Sequence, residues 1–256
     1  MKFSGVAYTD PGTKKKVNQD SYSVQIARTQ YGDAVLAIVC DGVGGLKSGE
    51  QASATVVKNL SDWFENEFPK LINNRVPLLK IKEILFDIIQ HTHSVLKKYG
   101  KEKGIQLGTT IAMFLSFSDN GLLINVGDSR VYCFRNGKPH LLSRDQTVAQ
   151  REVEKGKLSH DAALKDKRSH ILLQCIGASE TVEPEFSLIG IEQEDSFLIC
   201  TDGFYRKTME NELVFNIGSS AGFVENKAKQ ALSLISENVK NRGETDNITA
   251  VVIKAL

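Results

Sequence analysis

Five aspartates of this chain stand at the ends of apolar, strand-like segments. Asp41 follows the run Ala34–Cys40, and Asp202 follows the run Ser196–Thr201. The other three border the segments SYSVQI, LLINVG and NITAVVI, and they are Asp20, Asp128 and Asp246. Each aspartate alone is typical of a turn or a helix cap. If the strands are neighbours, however, the five carboxylates converge and repel one another unless a cation neutralises them. Oxygen ligands of this kind predict Mg²⁺ or Mn²⁺ rather than zinc.

The segment after Asp41 contains three glycines in four residues, Gly42 to Gly45, and then a helical pattern. Glycines allow the backbone to turn sharply and to approach a ligand closely. A strand, glycines, a lysine and a helix also occur in this order in a phosphate-binding P-loop. That motif needs glycine directly before the lysine, where this chain has Leu46. A cation held by Asp41 is therefore the favoured interpretation.

Strands and helices come in blocks along the chain rather than in strict alternation. Amphipathic helices are predicted from about Ser48 to Phe68, Pro77 to Tyr99, Val148 to Lys155 and Val224 to Val239. Hairpins are predicted at Asp119-Asn120-Gly121 and at Asn136-Gly137. This order is typical of an α+β protein in which helices cover antiparallel sheets. We expect residues 1–256 to form one domain, because no linker or repeat interrupts the pattern.

The composition is that of an ordinary globular protein. The 256 residues are 41% hydrophobic and 25% charged, with a formal net charge of +1. Neither a nucleic acid nor an anionic membrane is indicated as a partner by this charge. No run of about 18 apolar residues is present, and the N-terminus lacks the apolar core of a signal peptide. The four cysteines form no CxxC pair, so we predict reduced core residues in a cytoplasmic protein.

Six short motifs resemble, in order, those of the protein phosphatase 2C family of metal-dependent Ser/Thr phosphatases. Together they cover almost the whole chain: Asn18-Gln19-Asp20, Asp41-Gly42-Val43-Gly44-Gly45, Gly108-Thr109-Thr110, Gly127-Asp128-Ser129-Arg130, Thr201-Asp202-Gly203 and Asp246-Asn247. The resemblance implies two antiparallel β-sheets packed face to face and flanked by helices, a four-layer αββα sandwich. It also implies a site for two Mg²⁺ or Mn²⁺ ions at one end of the sheets.

The resemblance assigns a role to each of these residues. Asp41 would bridge the two ions, and the carbonyl of Gly42 would bind one of them. Asp20, Asp202 and Asp246 would complete the cluster, partly through waters. A water bridging the metals, acidified towards hydroxide, would attack phosphorus in line. Asp41 and Asp202 are thus the expected catalytic aspartates.

Three positions depart from the family pattern. Many members have Glu where this chain has Gln19, which contributes no charge. The arginine expected to bind phosphate is replaced by Lys15, which pairs with phosphate as a point charge rather than as a fork. Eukaryotic members often have His where this chain has Val43. Lys14, Lys15 and Lys16 could instead form a solvated turn.

The last departure concerns a third, more weakly held ion. Asp128 matches one ligand of that ion, but the second aspartate, four residues after Asp202, is Arg206 here. A guanidinium at this position disfavours a cation, so we expect the third ion to be weak or absent. Arg206 could instead contact the substrate phosphate.

The sequence therefore predicts a Mg²⁺- or Mn²⁺-dependent phosphatase of bacterial type. It would act on phosphoserine and phosphothreonine in proteins and oppose a cognate kinase. The alternative is a phosphatase-like regulatory module with weak or no turnover, motivated by Lys15, Gln19 and Arg206. The largely polar segment Ser143–Glu183 is expected to be a flap beside the site, where substrate choice could reside.

Overall fold

The computed structural model describes residues 1–43, 48–117, 119–218 and 223–256. Within these ranges the strands are β1 (Phe3–Asp10), β2 (Ser21–Thr29), β3 (Gly32–Cys40), β4 (Ile111–Phe117), β5 (Asn120–Val126), β6 (Arg130–Arg135), β7 (Lys138–Leu141), β8 (Glu185–Gly190), β9 (Ser196–Cys200) and β10 (Ile248–Ala255). The helices are α1 (Gly49–Asn66), α2 (Phe68–Asn73), α3 (Leu78–Lys103), α4 (Val148–Glu154), α5 (His160–Lys165), α6 (Asp202–Tyr205), α7 (Glu210–Asn216) and α8 (Glu225–Asn241). None of these helices combines the length and the apolar character that a membrane span requires.

The strands form two five-stranded sheets in which every neighbouring pair is antiparallel. The first sheet has the order β1-β10-β9-β6-β7, and the second has the order β2-β3-β4-β5-β8. Strand β1, near the start of the chain, pairs along its whole length with β10 near the end. The predicted α+β class with two antiparallel sheets is confirmed.

Three clusters of buried side chains define four layers. One cluster lies between the two sheets and includes Val35, Phe114, Phe197 and Val251. A second lies between the second sheet and helices α1–α3, and a third lies between the first sheet and helices α6–α8. Because β3 is buried on both faces, residues 34–40 form a continuous apolar run rather than an alternating one. The predicted helix–sheet–sheet–helix sandwich is present.

The predicted helix starts lie within one residue of the observed ones, but α3 continues to Lys103 and α8 to Asn241, past the predicted ends at Tyr99 and Val239. The first helix ends at Asn66 rather than Phe68, because Pro69 suits only the first turn of a helix and lies in the first turn of α2, which begins at Phe68. Strand β7 and the short helices α5, α6 and α7 were not predicted, since elements of four to seven residues carry little periodicity.

The two predicted hairpins differ in outcome. Asn136 and Gly137 adopt φ values of 52° and 71° between β6 and β7, as a type I′ turn requires. Asn120 and Gly121 instead pair with Phe117 and Ser116 inside the ladder, so placing the turn on them was wrong. The hairpin between β4 and β5 is present, and Asp119 directly precedes β5. Ser118 lies outside the described residues.

The interface between the sheets is expected to dominate stability. The rings of Phe114 and Phe197 stack across it with centroids 4.2 Å apart, and both side chains are fully buried. Phe114→Ala should lower the free energy of unfolding by about 3–5 kcal/mol, because a cavity remains where the ring was. The matched variant Phe215→Ala, at a side chain that is 81% exposed, should change it by less than about 0.5 kcal/mol. Urea unfolding measures both, and equal effects would contradict this view of the core.

Candidate metal centre

Strand register brings the five aspartates to one end of the two sheets. Ser21 pairs with Cys40 in the second sheet. Asp20, which precedes Ser21, and Asp41, which follows Cys40, therefore lie at the same end of that sheet. Cys200 pairs with both Ala250 and Arg130 in the first sheet. The residues next to these strand ends are Asp202, Asp246 and Asp128. The sequence prediction that the five would meet depends on this register, and the structure places them as predicted.

The backbone of Asp41 is held from both sides by two threonines. The Asp41 N–H donates to Thr110 Oγ1 at 3.0 Å, and the Asp41 carbonyl accepts from Thr109 Oγ1 at 2.8 Å and from the Thr110 N–H at 2.9 Å. Thr110 Oγ1 in turn lies 2.7 Å from Ser129 Oγ, beside Asp128. These bonds involve only the main chain of Asp41, so they fix the backbone from which its carboxylate extends.

Gly42 packs where no side chain fits. A Cβ atom there would lie 2.6 Å from the Gln19 carbonyl oxygen and 2.7 Å from the Gly49 backbone. The Gly42 N–H donates to that Gln19 carbonyl at 3.2 Å, which ties the turn to the segment before β2. The remainder of the predicted glycine-rich turn, Gly44 and Gly45, lies outside the described residues, as does the Lys47 of the rejected P-loop alternative.

Two of the aspartates each present a buried oxygen without a partner. Asp20 accepts a hydrogen bond from Thr201 Oγ1 at 3.0 Å through Oδ2, and Asp202 contacts Arg206 through its own Oδ2. Among the described residues, neither Asp20 Oδ1 nor Asp202 Oδ1 has a hydrogen-bond donor. An unpaired buried carboxylate oxygen is costly, and a cation removes that cost. These two oxygens fit the donor set of a hard divalent ion.

The cluster also shifts the acidity of its members. Burial, and then the charges of Asp202 and Asp246, raise the pKa of Asp20 to about 7 despite hydrogen bonds from Thr249 and Thr201. Burial and the neighbouring carboxylates, Asp202 first, raise the pKa of Asp41 well above its usual range. Burial raises the pKa of Asp202 as well, against the opposing charge of Arg206. With all of its carboxylates ionised, the site would therefore carry more negative charge than the surrounding protein stabilises.

Lys15 lies on the open side of this cluster. Its Nζ is 3.0 Å from Asp246 Oδ1, and both side chains are partly exposed. Burial opposes the charged form of Lys15, but the hydrogen bond to Asp246 and the attraction of Asp41 and Asp202 raise its pKa. The predicted phosphate-binding lysine is therefore a cation beside the carboxylates rather than part of a solvated turn, whereas Lys14 and Lys16 are exposed.

Arg206 joins two of the aspartates. A single nitrogen, Nη2, lies 3.0 Å from Asp128 Oδ2 and 2.9 Å from Asp202 Oδ2. Asp128 is almost fully buried, and burial together with the charge of Asp202 raises its pKa to about 8 although Arg206 opposes the shift. The guanidinium thus supplies positive charge between these two carboxylates.

The chain offers few side-chain ligands to any single ion. Within the described ranges, no three carboxylate, imidazole or thiol groups are placed so as to hold one ion by themselves. An ion at Asp41 would therefore complete its shell with water or with a backbone oxygen such as the Gly42 carbonyl. This ligand composition suits Mg²⁺ and Mn²⁺, which keep several waters when bound by one or two carboxylates.

Gln19 and Glu50 border the site on the side of α1. Gln19 Nε2 donates to Glu50 Oε2 at 3.3 Å, and the Gln19 N–H donates to Asn247 Oδ1 at 2.9 Å. The Gln19 carbonyl also accepts from Ser53 Oγ at 2.6 Å. Gln19 is therefore a fixed polar residue that connects the two sheets at the end where the aspartates lie.

The segment Ser143–Glu183 is attached next to the cluster. The Gln146 N–H donates to the Gly127 carbonyl, and Gln146 Oε1 accepts from the Gly127 N–H, each at 2.8 Å. Ile176 and Thr109 exchange backbone hydrogen bonds at 2.8 and 3.0 Å. These bonds secure both ends of the segment beside Asp128 and Asp41.

Several residues that hold the aspartates were given no role by the sequence. Tyr205 and Gln146 were not singled out, and Thr109, Thr110 and Thr201 were quoted only within motifs. Their signals were weak, because a threonine beside a strand end is also a good strand residue. Asn247 was quoted within a motif, but its bonds to Gln19, Pro11 and Val17 could not be inferred from the spacing.

Comparison with known proteins agrees with this geometry. Residues 12–239 match the model of the family described as protein phosphatase 2C. A serine/threonine phosphatase named stp from Listeria monocytogenes is 26% identical over 249 residues, which is 96% of this chain and 93% of that protein. The structure of the S. agalactiae serine/threonine phosphatase superposes with a TM-score of 0.84 at 26% identity, covering 99% of this chain and 100% of that one. The catalytic domain of the phosphatase PstP, in complex with two manganese ions, shares the fold at 22% identity with a TM-score of 0.77, covering 98% of this chain and 97% of that one.

The raised pKa of Asp20 predicts how stability depends on pH without metal. The folded protein retains a proton that the unfolded chain releases, so the free energy of unfolding should fall as the pH rises from about 4 to about 7. At pH 7.5, Asp20→Asn should stabilise the metal-free protein by on the order of 2–4 kcal/mol while weakening Mn²⁺ binding. Asp87→Asn, at an exposed position of α3, is the matched control. Chemical unfolding that showed no gain for Asp20→Asn would contradict the electrostatic interpretation.

Proposed function

Because this chain belongs to the protein phosphatase 2C family, we propose that it hydrolyses phosphoserine and phosphothreonine in proteins with the aid of two Mg²⁺ or Mn²⁺ ions. The observation that carries the proposal is the buried oxygen without a partner on Asp20 and on Asp202, in a cluster with Asp41. Such a cluster is costly in a protein that binds no cation. A regulatory module without turnover would have no use for it.

Five residues would hold the ions. Asp41 would bridge them, and the Gly42 carbonyl, Asp20, Asp202 and Asp246 would complete the ligand set with water. When bound, the ions supply Lewis acidity that activates a water for in-line attack on phosphorus and neutralises the phosphoryl oxygens. The chain's own contribution is position: Thr109 and Thr110 fix the main chain of Asp41, which limits how far its carboxylate can move.

Lys15 would bind the substrate phosphate. It is a cation beside the cluster, 3.0 Å from Asp246, and its side chain is 33% exposed, so a phosphate dianion could approach it from solvent. A lysine offers a rotatable point charge rather than the planar fork of arginine, so it orients the phosphate less strictly. We expect Lys15 to lower the KM more than it raises kcat.

Arg206 would take the place of a third ion. Its guanidinium lies within hydrogen-bond distance of both Asp128 and Asp202 and partly offsets their charge, and a cation between them would have to displace it. We therefore propose a two-ion site in which Asp128 binds Arg206 rather than metal.

The remaining proposals concern the cellular setting. Residues 1–256 would act as one catalytic domain, since β1 and β10 close one sheet and the core cluster between the sheets draws on both. The substrates would be phosphoproteins of a cognate Ser/Thr kinase. A cytoplasmic location is supported by four buried cysteines that form no disulfide.

The catalytic proposal predicts metal-dependent turnover that depends on two aspartates. The purified protein should hydrolyse para-nitrophenyl phosphate and a phosphothreonine peptide with Mn²⁺, and EDTA should abolish both activities. Asp41→Asn and Asp202→Asn should each lower kcat by at least about a hundredfold, since each removes charge that holds the ions. Asp87→Asn should retain full activity. Wild-type protein that binds Mn²⁺ without hydrolysing either substrate would support the regulatory module instead.

The third-ion proposal predicts a stoichiometry. Calorimetric titration of the wild-type protein with Mn²⁺ should give two sites, whereas Arg206→Asp should create a third, weaker one. The reason is that Asp128 and the new carboxylate would face each other without the guanidinium. Arg28→Asp, at an exposed position of β2, should still bind two ions. Three sites in the wild-type protein would overturn the proposal.

A further inference from the structure

Arg130 has a side chain that is 14% exposed and is fixed from three directions, and it does not touch the carboxylate cluster. It forms a bidentate pair with Asp145, Nε to Oδ1 at 2.9 Å and Nη2 to Oδ2 at 2.7 Å. Its Nη1 donates to the Tyr132 hydroxyl at 2.9 Å. A bidentate arginine pair is directional as well as strong, so this guanidinium cannot swing away. The guanidinium of Arg130 therefore presents a rigid planar face beside the carboxylate cluster.

The ring of Tyr205 packs against the face of the Arg130 guanidinium. Arg130 Cζ is 3.8 Å from the centre of the Tyr205 ring, a distance that allows a strong cation–π contact. The Tyr205 hydroxyl donates to the Asp128 carbonyl at 3.0 Å. The side chain is therefore held on its face by Arg130 and at its tip by Asp128.

Tyr205 also lies in the short segment that joins Asp202 to Arg206. It is the last residue of α6, a four-residue helix that begins with Asp202, and Arg206 follows it directly. A helix of one turn has no stability of its own, so its orientation comes from tertiary contacts. The Arg206 N–H donates to the Asp202 carbonyl at 2.9 Å, which links both ends of this turn. Fixing the Tyr205 ring thus fixes the directions of Asp202 and Arg206.

Tyr205 and Arg206 hold Asp128 at two different atoms. The phenol contacts its carbonyl, and the guanidinium contacts its carboxylate Oδ2 at 3.0 Å. The same guanidinium nitrogen contacts Asp202 Oδ2. A shift of the Tyr205 ring would therefore move Arg206 and, with it, the orientation of Asp202 towards the ions.

We propose that Tyr205, clamped by Arg130, is a positioning residue that aligns Asp202 and Arg206 for metal binding and catalysis. Its hydroxyl contacts the Asp128 carbonyl and its ring contacts Arg130, so it would act through Asp202 and Arg206 rather than on the ions directly. Its role in turnover rests on the proposed function, whereas its effect on metal affinity does not.

The test compares Tyr205→Phe and Tyr205→Leu with the wild-type protein in Mn²⁺ affinity, kcat, KM and Tm. Phenylalanine keeps the ring on Arg130 but loses the bond to Asp128, and leucine loses both. Mn²⁺ affinity should fall about three- to tenfold for Tyr205→Phe and further for Tyr205→Leu. The kcat should fall in the same order, by about tenfold for phenylalanine, while the KM changes less than about twofold.

Tyr31→Phe is the matched control. Tyr31 also carries an arginine over its ring, Arg75 at 5.9 Å, and its hydroxyl also makes a hydrogen bond, but it lies in the turn between β2 and β3, at the opposite end of those strands from Asp20 and Asp41. This variant should keep the Mn²⁺ affinity and kcat of the wild-type protein.

Two outcomes would overturn the proposal. One is a Tyr205→Phe variant whose Mn²⁺ affinity and kcat stay within twofold of wild type. The other concerns Tyr205→Leu and Phe114→Ala compared at the same fraction of folded protein. If both variants lose the same Mn²⁺ affinity and kcat, a purely structural role of Tyr205 explains the loss. A wild-type protein without turnover would contradict the proposed function, and the comparison of Mn²⁺ affinities would still decide the role of Tyr205.

Discussion

The concentration of negative charge at one end of the two sheets is the constraint on which the site depends. The pairing registers of the strands place Asp20, Asp41 and Asp202 close together. Burial and mutual repulsion raise their pKa values, so the fold without cations is penalised at neutral pH. Divalent ions relieve that penalty, and the same free energy becomes affinity for metal.

The surrounding residues keep the carboxylates in place without neutralising all of them. Thr109 and Thr110 hold the main chain of Asp41, and Thr201 holds one oxygen of Asp20. Two fixed cations then balance the periphery, Lys15 at Asp246 and Arg206 at Asp128 and Asp202. The centre of the cluster therefore has less fixed positive charge than negative charge, whereas the carboxylates at its edge contact Lys15 or Arg206. This division is the reason that we propose metal binding at Asp41 rather than at Asp128.

The sheets, the main helices and the five aspartates could be predicted because each has a strong local signal. A buried strand such as β3 is a continuous apolar run, and an aspartate at its end interrupts that run visibly. Short elements such as α6 and β7 have too few residues to show a period. The pairing of Arg130 with Asp145 and its stacking on Tyr205 join three distant parts of the chain, and no spacing in the sequence encodes such contacts. Likewise, the chain predicted that Arg206 would oppose a third ion but not that one nitrogen would contact two carboxylates.

The most direct test of the central claim is the anomalous diffraction of crystals soaked in Mn²⁺. The charge distribution predicts two peaks that share the carboxylate of Asp41, one of them also near the Gly42 carbonyl, and no peak between Asp128 and Arg206. Crystals that showed no manganese at Asp41, or manganese only at Asp128 with Arg206 displaced, would contradict the assignment of the buried cluster as a two-ion centre.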